Sequence, residues 1–296
     1  MTATSSPVRA KLGNILYLTD FSPTSDSAIR YLRTIAEQFD TNVLVTHVIE
    51  WPEYRFVPPE GWAVVEHASE DAARRQLQNV EERLAGIPHQ TTLRRGEVWR
   101  EAAEMIKAHD IQLIVVGTHG RTGLRRFLMG SVAEEILRLS HCPVLTVGPG
   151  VPKDGQRITG VERVVLATDF GHSSLEAIPQ ALALASEYGA RLILLHVIKP
   201  PLRPDESFEQ LKLESEKQLR TTLCRESPAN IRVEIAVRLG DPAAEILRFA
   251  RERKADLIVL GLKRTGERVT MATHVSPATA HAVLCSAPCP VLAVTA

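Results

Sequence analysis

The chain has 296 residues, 44% of them hydrophobic, with 35 basic residues balanced by 35 acidic ones. That length exceeds the roughly 100–200 residues of a usual domain, so two compact cores are the first expectation, and the even charge leaves no field to draw the protein to nucleic acid or an anionic membrane. Apolar runs such as 114–116 and 192–195 fall far short of the roughly 18 residues a bilayer span requires, and Cys142, Cys224, Cys285 and Cys289, with no CxxC pair, do not resemble a secreted disulfide framework.

Residues 1–14 are polar, rich in Ser and Thr, and lack the apolar stretch of a secretory signal, so a cytoplasmic protein is expected. An apolar run then ends in Leu18-Thr19-Asp20-Phe21, as a strand would. Ser22 is placed as a helix N-cap and Pro23 at the first helical position, followed by Ile29, Leu32, Ile35 and Phe39 at helical spacing. A second strand closes at Thr46-His47-Val48-Ile49. A helix over about 68–84 stops at Gly86 and Pro88, a strand covers about 91–94, and another helix spans 98–109. A fourth strand ends at Leu113-Ile114-Val115-Val116-Gly117. Beyond a glycine-bracketed basic loop, a helix opens at about Val132 and a strand begins after Cys142-Pro143.

The pattern then repeats. Ala167-Thr168-Asp169-Phe170 answers residues 18–21, Leu195-His196-Val197-Ile198 answers 46–49, Leu257 to Gly261 answers Leu113 to Gly117, and Cys289-Pro290-Val291-Leu292 answers Cys142-Pro143-Val144-Leu145. Ile231, Val233, Ile235 and Val237 alternate as a half-buried strand, with Asp241-Pro242 starting the next helix. A Gly- and Pro-rich stretch over 148–160 links the copies, giving domains at 1–150 and 151–296. Alternating strands and helices require parallel neighbours joined by right-handed crossovers. The expected fold class is therefore α/β: two tandem Rossmann-like domains, each a five-stranded parallel sheet with helices on both faces. In such sheets ligands lie beyond the carboxyl ends of the strands where the order reverses, which here brings Asp20 opposite Gly117.

The loop after the fourth strand carries the chemistry. Gly117 and Gly120 would let backbone amides approach phosphate oxygens, and Gly130 with Ser131 would aim a helix N-terminus at the same anion. The same residues also fit purely structural devices: Ser131 with Glu134 makes a capping box, and Gly117 ends a strand. Asp20 fits a hydroxyl acceptor or a metal-ion ligand, and equally a cap for the helix that follows, since Asp169 recurs in the other copy. Arg121, Arg125, Arg126 and His119 are within the same loop and fit either phosphate contact or simple solvation.

The spacing Gly117-x2-Gly120-x9-Gly130-Ser131 resembles the ATP-binding motif of the universal stress protein family. Thr19-Asp20-Phe21, the His47-Val48-Ile49 strand end and Cys142-Pro143-Val144-Leu145 resemble that family too, and both copies together cover nearly the whole chain. The resemblance implies an adenine nucleotide alpha hydrolase-like fold and an adenine nucleotide, ATP with or without Mg2+, bound in the first domain. It places Thr19 and Asp20 near ribose and base and Val48 and Val116 at the adenine. Gly117, Gly120, Gly130, Ser131 and Val132 then surround the ribose and phosphates. It further implies dimers that pair through their last strands, so that 144–147 and 291–294 pair within one chain and two chains associate further as a homodimer.

The second copy departs from this motif: Arg264 stands where the second glycine belongs, and Pro277-Ala278 align with Gly130-Ser131. Pro277 lacks a backbone donor and Ala278 a hydroxyl, so this loop reads as degenerate and the copy as a scaffold and pairing partner. His274, His281, Cys285 and Cys289 are set aside as a metal site, and the proline-preceding cysteines read as small buried residues at strand starts. No catalytic residue is assigned. The leading expectation is a cytoplasmic stress-response protein that senses nucleotide by binding it. A slow ATPase or self-phosphorylating enzyme is weakened by the absence of a GxxxxGK[ST] or His-Arg-Asp loop, and a ligand-free dimerisation scaffold is the remaining alternative.

Overall fold

The computed structural model describes residues 12–50, 62–119, 129–152, 160–201, 203, 207–224, 231–263 and 277–295. Gly120, Arg121, Arg125, Arg126, Arg264 and His274, with most of the N-terminal stretch and part of the inter-repeat linker, lie outside the described residues. In the first repeat the order is β1 (Asn14–Leu18), α1 (Pro23–Phe39), β2 (Val43–Ile49), α2 (Trp62–Arg83), β3 (His89–Arg95), α3 (Val98–Ala108), β4 (Ile111–Gly117), α4 (Ser131–Leu139) and β5 (Val144–Val147). The second follows with β6 (Arg163–Thr168), α5 (His172–Glu176), α6 (Ile178–Tyr188), β7 (Arg191–Ile198), α7 (Phe208–Cys224), β8 (Arg232–Leu239), α8 (Pro242–Glu252), β9 (Leu257–Leu262), α9 (Pro277–Ser286) and β10 (Val291–Thr295).

The ten strands of the described residues form one sheet in the order β3-β2-β1-β4-β5-β10-β9-β6-β7-β8. Within each repeat every pairing is parallel, and the order reverses between the first and fourth strands. The repeats meet at β5 and β10, which run antiparallel with Leu145 opposite Leu292 and Thr146 opposite Val291. The pairing of last strands that the family resemblance implies is thus present inside the chain. The central strands, covered on both faces, are apolar almost throughout, as parallel strands must be when neither face meets water.

The hydrophobic interior divides by sheet face rather than by repeat. One apolar layer joins Tyr17, Leu32 and Leu145 to Leu166, Leu182 and Leu292; the other joins Leu16, Ile114 and Ile136 to Val165, Phe249 and Leu284. The two compact cores expected, one in each half, are not separate, because the β5–β10 joint carries each layer across both repeats. Burying side chains such as Leu32 or Ile114 contributes about 1.5–3 kcal/mol each.

Local chemistry explains the helix starts. Ser22 caps α1, its side chain accepting from the Ser25 amide with Pro23 directly behind it, and Asp241 caps α8 by accepting from the Ala244 amide. α2 begins six residues before its expected start. The counterpart of α1 is broken into α5 and α6 around Ala177: Pro179 has no amide to donate one turn back.

Candidate functional site

The carboxyl ends of β1, β2 and β4 stand side by side, Leu18 pairing with Thr46 on one flank and Val116 on the other. Beyond Leu18 the chain turns sharply. The Thr19 amide donates to the Thr46 carbonyl at 3.1 Å, the Thr19 hydroxyl accepts from the Phe21 amide at 3.0 Å, and Phe21 takes a left-handed φ of 59°. His47 donates from Nδ1 to the Thr19 carbonyl at 2.6 Å, and its ring lies 4.4 Å from that of Phe21. The repeated histidine therefore holds the turn.

Along a parallel ladder successive residues address opposite neighbours. The Thr46 carbonyl serves β1 and the Ile49 carbonyl accepts from Gly96 at the far end of β3, so the main-chain groups of Val48 face the side where β1 has already ended. Val48 and Val116 are both buried, at 8% and 4% exposure, and form an apolar lip on either side of the β1 end.

Asp20 is in part structural. Its Oδ1 accepts from the Ser22 amide at 3.0 Å and from the Ser25 hydroxyl at 2.7 Å, fixing the first turn of α1. Tyr17 adds to this by donating to the Ser25 carbonyl at 2.8 Å, and burial pushes its phenol pKa up.

Gly117 is glycine for a reason the sequence did not disclose. A Cβ there would stand 2.7 Å from the Ser25 amide nitrogen and 2.8 Å from Thr24 Oγ1, so the end of β4 packs directly onto the start of α1. Gly261 is placed likewise, its Cβ position colliding with the Ser173 carbonyl. Close helix approach, shared by both repeats, accounts for these glycines without a phosphate.

The loop after β4 is pinned at both ends. Thr118, wholly buried, donates its amide to the Val147 carbonyl at 3.0 Å; the next carbonyl, of His119, accepts from the Ser22 and Thr24 hydroxyls at 3.0 and 2.5 Å. On return, the Gly130 amide donates to the Thr118 carbonyl at 2.8 Å. Gly130 is the N-cap of α4 and offers no side-chain cap, while Ser131 is the first helical residue and exposed, and Val132 is half-buried behind it. The Ser131–Glu134 capping box is therefore not formed, since the Glu134 amide goes to the Gly130 carbonyl at 3.0 Å. Nor is the Gly130 amide aimed at an anion. The amides at the head of α4 belong to the residues after it, and they carry the positive end of the helix dipole.

Thr19, Asp20, Val48, Val116, Gly117, Gly130, Ser131 and Val132 thus gather at one edge of the sheet. Ser22, read in the sequence only as a cap, and Thr24, which was overlooked, tie the His119 carbonyl to α1; also overlooked are Ser25, which donates to Asp20, and Thr118, which anchors the loop to β5. For Thr24 and Ser25 the signal was a run of small hydroxyl residues at a helix start, which prove buried.

The family model for the universal stress protein family matches residues 11–148 and again 160–295. The chain belongs to the universal stress protein family. It is similar to a universal stress protein of Methanocaldococcus jannaschii, 33% identical over 136 residues, covering 45% of this chain and 80% of that protein. It is also similar to a universal stress protein of Mycolicibacterium smegmatis, 28% identical over 267 residues and covering 83% and 86% of the two chains. In fold it matches the crystal structure of a universal stress protein from Archaeoglobus fulgidus over 95% of this chain and 98% of the other, at 22% identity and a TM-score of 0.65. Two tandem copies of the family's domain make up the protein, and among the described residues no helix is long and apolar enough to cross a membrane.

The second family domain repeats the turn almost atom for atom. The Thr168 hydroxyl accepts from the Phe170 amide at 3.1 Å, Asp169 Oδ1 accepts from the Gly171 amide and the Ser174 hydroxyl at 2.8 and 2.7 Å, and His196 Nδ1 donates to the Thr168 carbonyl at 2.8 Å. Asp169-Phe170-Gly171 also spells the triplet of kinase metal loops, but here it is this strand-to-helix turn. Gly171 stands where Ser22 stands in the first domain, so the hydroxyl that Ser22 gives to the His119 carbonyl has no counterpart at that position. A cavity of about 320 Å3 lies at these strand ends, lined by Asp169, His196, Val197 and Leu260 among others. His281 and Cys285 lie 3.9 Å apart one helical turn along α9. Burial pushes the Cys285 thiol up to about 11 and that of Cys289 up to about 12, as befits small packed residues.

Proposed function

We propose that the first domain binds an adenine nucleotide, ATP with or without Mg2+, and that the protein is a cytoplasmic stress-response regulator whose occupancy alters contacts with partners or with a second copy. The reading is carried by one observation: the uncapped head of α4 is fastened by the Gly130–Thr118 bond beside the turn that presents Asp20. A helix N-terminus with unengaged amides favours phosphate. The main-chain groups of Val48 face the side an adenine edge would occupy, Val116 offers an apolar wall, and Asp20 offers a carboxylate to ribose hydroxyls or to a cation. Gly117 contributes by permitting the close packing of α1, and Ser131 and Val132 supply amides. Gly120 enters the reading through the family motif alone.

Binding rather than turnover is the proposed activity, because the sequence offers no phosphate-loop lysine. The second domain keeps a cavity at its strand ends but carries Pro277-Ala278 where the first has Gly130-Ser131, and is assigned the role of pairing partner without ATP.

Isothermal titration of the full chain with ATP tests this. One site per chain is expected, lost in Ser131→Asp, where a carboxylate at the head of α4 repels phosphate while favouring the helix itself. No binding heat in the parent protein, or equal affinity in the variant, overturns the proposal; release of ADP or phosphate by the purified chain would restore the enzyme reading.

A further inference from the structure

Between the two domains, on the sheet face that carries α1 and α6, lies a second cavity of about 580 Å3. It contains none of the residues assigned to nucleotide. Its floor is the Leu145–Leu292 pair at the centre of the β5–β10 joint. Ile35 of α1 and Leu184 of α6 occupy corresponding positions in the two repeats and form its walls, both incompletely buried. At one end Phe39 and Tyr188 meet edge to face at 5.9 Å, and Gln38 Nε2 donates to the Glu187 carbonyl at 3.1 Å. The cleft is therefore braced by direct contact between the repeats.

Three polar atoms of its lining have no hydrogen-bond partner among the described residues: Gln180 Oε1, the Tyr188 hydroxyl and Arg163 Nε, the last ion-paired with Asp256. Gln180 Oε1 and the Tyr188 hydroxyl are both shielded from solvent. Such groups are rare in folded proteins and mark a place where something else supplies the bond. Both lie on α6, eight residues apart, which is roughly 12 Å along a helix. The charged groups nearby are already answered: Arg30 donates to the Pro152 carbonyl, and Arg163 lies 3.4 Å from Glu162 and 3.7 Å from Asp256. Burial holds the Tyr31 phenol neutral, its pKa pushed up to about 12. The site thus offers apolar surface, two separated hydrogen-bonding atoms on α6 and, among the described residues, charged groups that are already paired.

We propose that this inter-domain cleft binds a neutral, elongated, largely apolar small molecule that donates to Gln180 Oε1 at one end and hydrogen-bonds the Tyr188 hydroxyl toward the other. Apolar walls with a few placed polar atoms are the usual makeup of small-molecule sites, and a domain interface is their usual setting. Bound there, the molecule bridges α1 and α6, so it stiffens the joint between the nucleotide-binding domain and its partner.

The test uses N-phenyl-1-naphthylamine, a neutral, elongated aromatic probe with one N–H donor, titrated into the full chain by fluorescence. A saturable, blue-shifted signal at one probe per chain is expected, unchanged by saturating ATP. Leu184→Trp fills the cleft and should abolish saturation while leaving circular dichroism unchanged; Ile35→Trp on the facing wall gives the same result should the first variant fold poorly. Gln180→Leu keeps the volume but removes the acceptor, and should weaken the probe about 3–10-fold. Absence of saturable binding, full binding in both tryptophan variants, unweakened binding in Gln180→Leu, or displacement by ATP each overturns the proposal, and the first of these assigns the unmet atoms to water.

Discussion

The Gly130 amide and the Thr118 carbonyl, 2.8 Å apart, bring the return of the β4–α4 loop onto its own departure point. Because the Ser22 hydroxyl holds the adjacent His119 carbonyl, α1 and α4 start from a single hydrogen-bonded knot. Gly130→Pro removes the donor and is expected to cost about 1–3 kcal/mol in stability. Ser131→Asp, one position on, leaves the knot intact and should be neutral or stabilising by about 0.3–1 kcal/mol through the helix dipole. Urea unfolding separates the two, and equal midpoints for both variants would discount the knot.

Gly117 and Gly261 both sit where a helix start crosses a strand end, but the second is tighter. Gly117→Ala should destabilise by about 1–3 kcal/mol from overpacking, and Gly261→Ala by more. The same chemical denaturation measures both, and the reverse ranking is the outcome that defeats this packing account.

Asp20 and Asp169 make matching pairs of hydrogen bonds. Asp20→Ala and Asp169→Ala should therefore lower stability similarly, by about 1–2 kcal/mol each. Only the first should weaken ATP in a titration. If both leave ATP affinity untouched, Asp20 is a helix cap and nothing more.

Burial lowers the pKa of His196, against the Thr168 hydrogen bond and the Asp169 charge, both of which raise it. The unfolded chain then binds the proton more readily than the folded one, so this contribution is complete above about pH 6.5 and is lost as pH falls through that value toward the lower folded pKa. Between pH 7.5 and 5.5 the parent should lose more thermal stability than His196→Asn, whose amide can still donate to the Thr168 carbonyl. Parallel losses would mean that other groups govern the acid response.

Since both apolar layers run through the β5–β10 joint, calorimetry should show one unfolding transition. Leu145→Ala and Leu292→Ala, each removing a buried side chain, should cost about 2–5 kcal/mol singly, and the double variant should deviate from their sum because the two are cross-strand partners. Two resolved transitions in the parent would show that the repeats unfold independently.

Much of this was legible in the sequence because it is local. The Thr-Asp-Phe turns, the Ser22-Pro23 and Asp241-Pro242 helix starts and the parallel strand order follow from spacing and residue type. What was not legible depends on partners distant in the chain. The close packing that requires Gly117 was hidden because nothing nearby shows that Ser25 lies against it. Ser131 and Glu134 have capping-box spacing, but the Thr118 bond sets Gly130 as the cap and moves Ser131 inside the helix. The shared apolar layers were hidden for the same reason, since only the pairing of Leu145 with Leu292 reveals them. Pro179, by contrast, was in plain view as a break between α5 and α6.

The antiparallel meeting of β5 with β10 has a directional consequence. Every strand of the first domain points one way across the sheet and every strand of the second points the other. The margin bearing Asp20 and the margin bearing Asp169 are therefore opposite sides of one sheet. A molecule docked at one margin leaves the other unobstructed, so the two domains can face different neighbours at the same time.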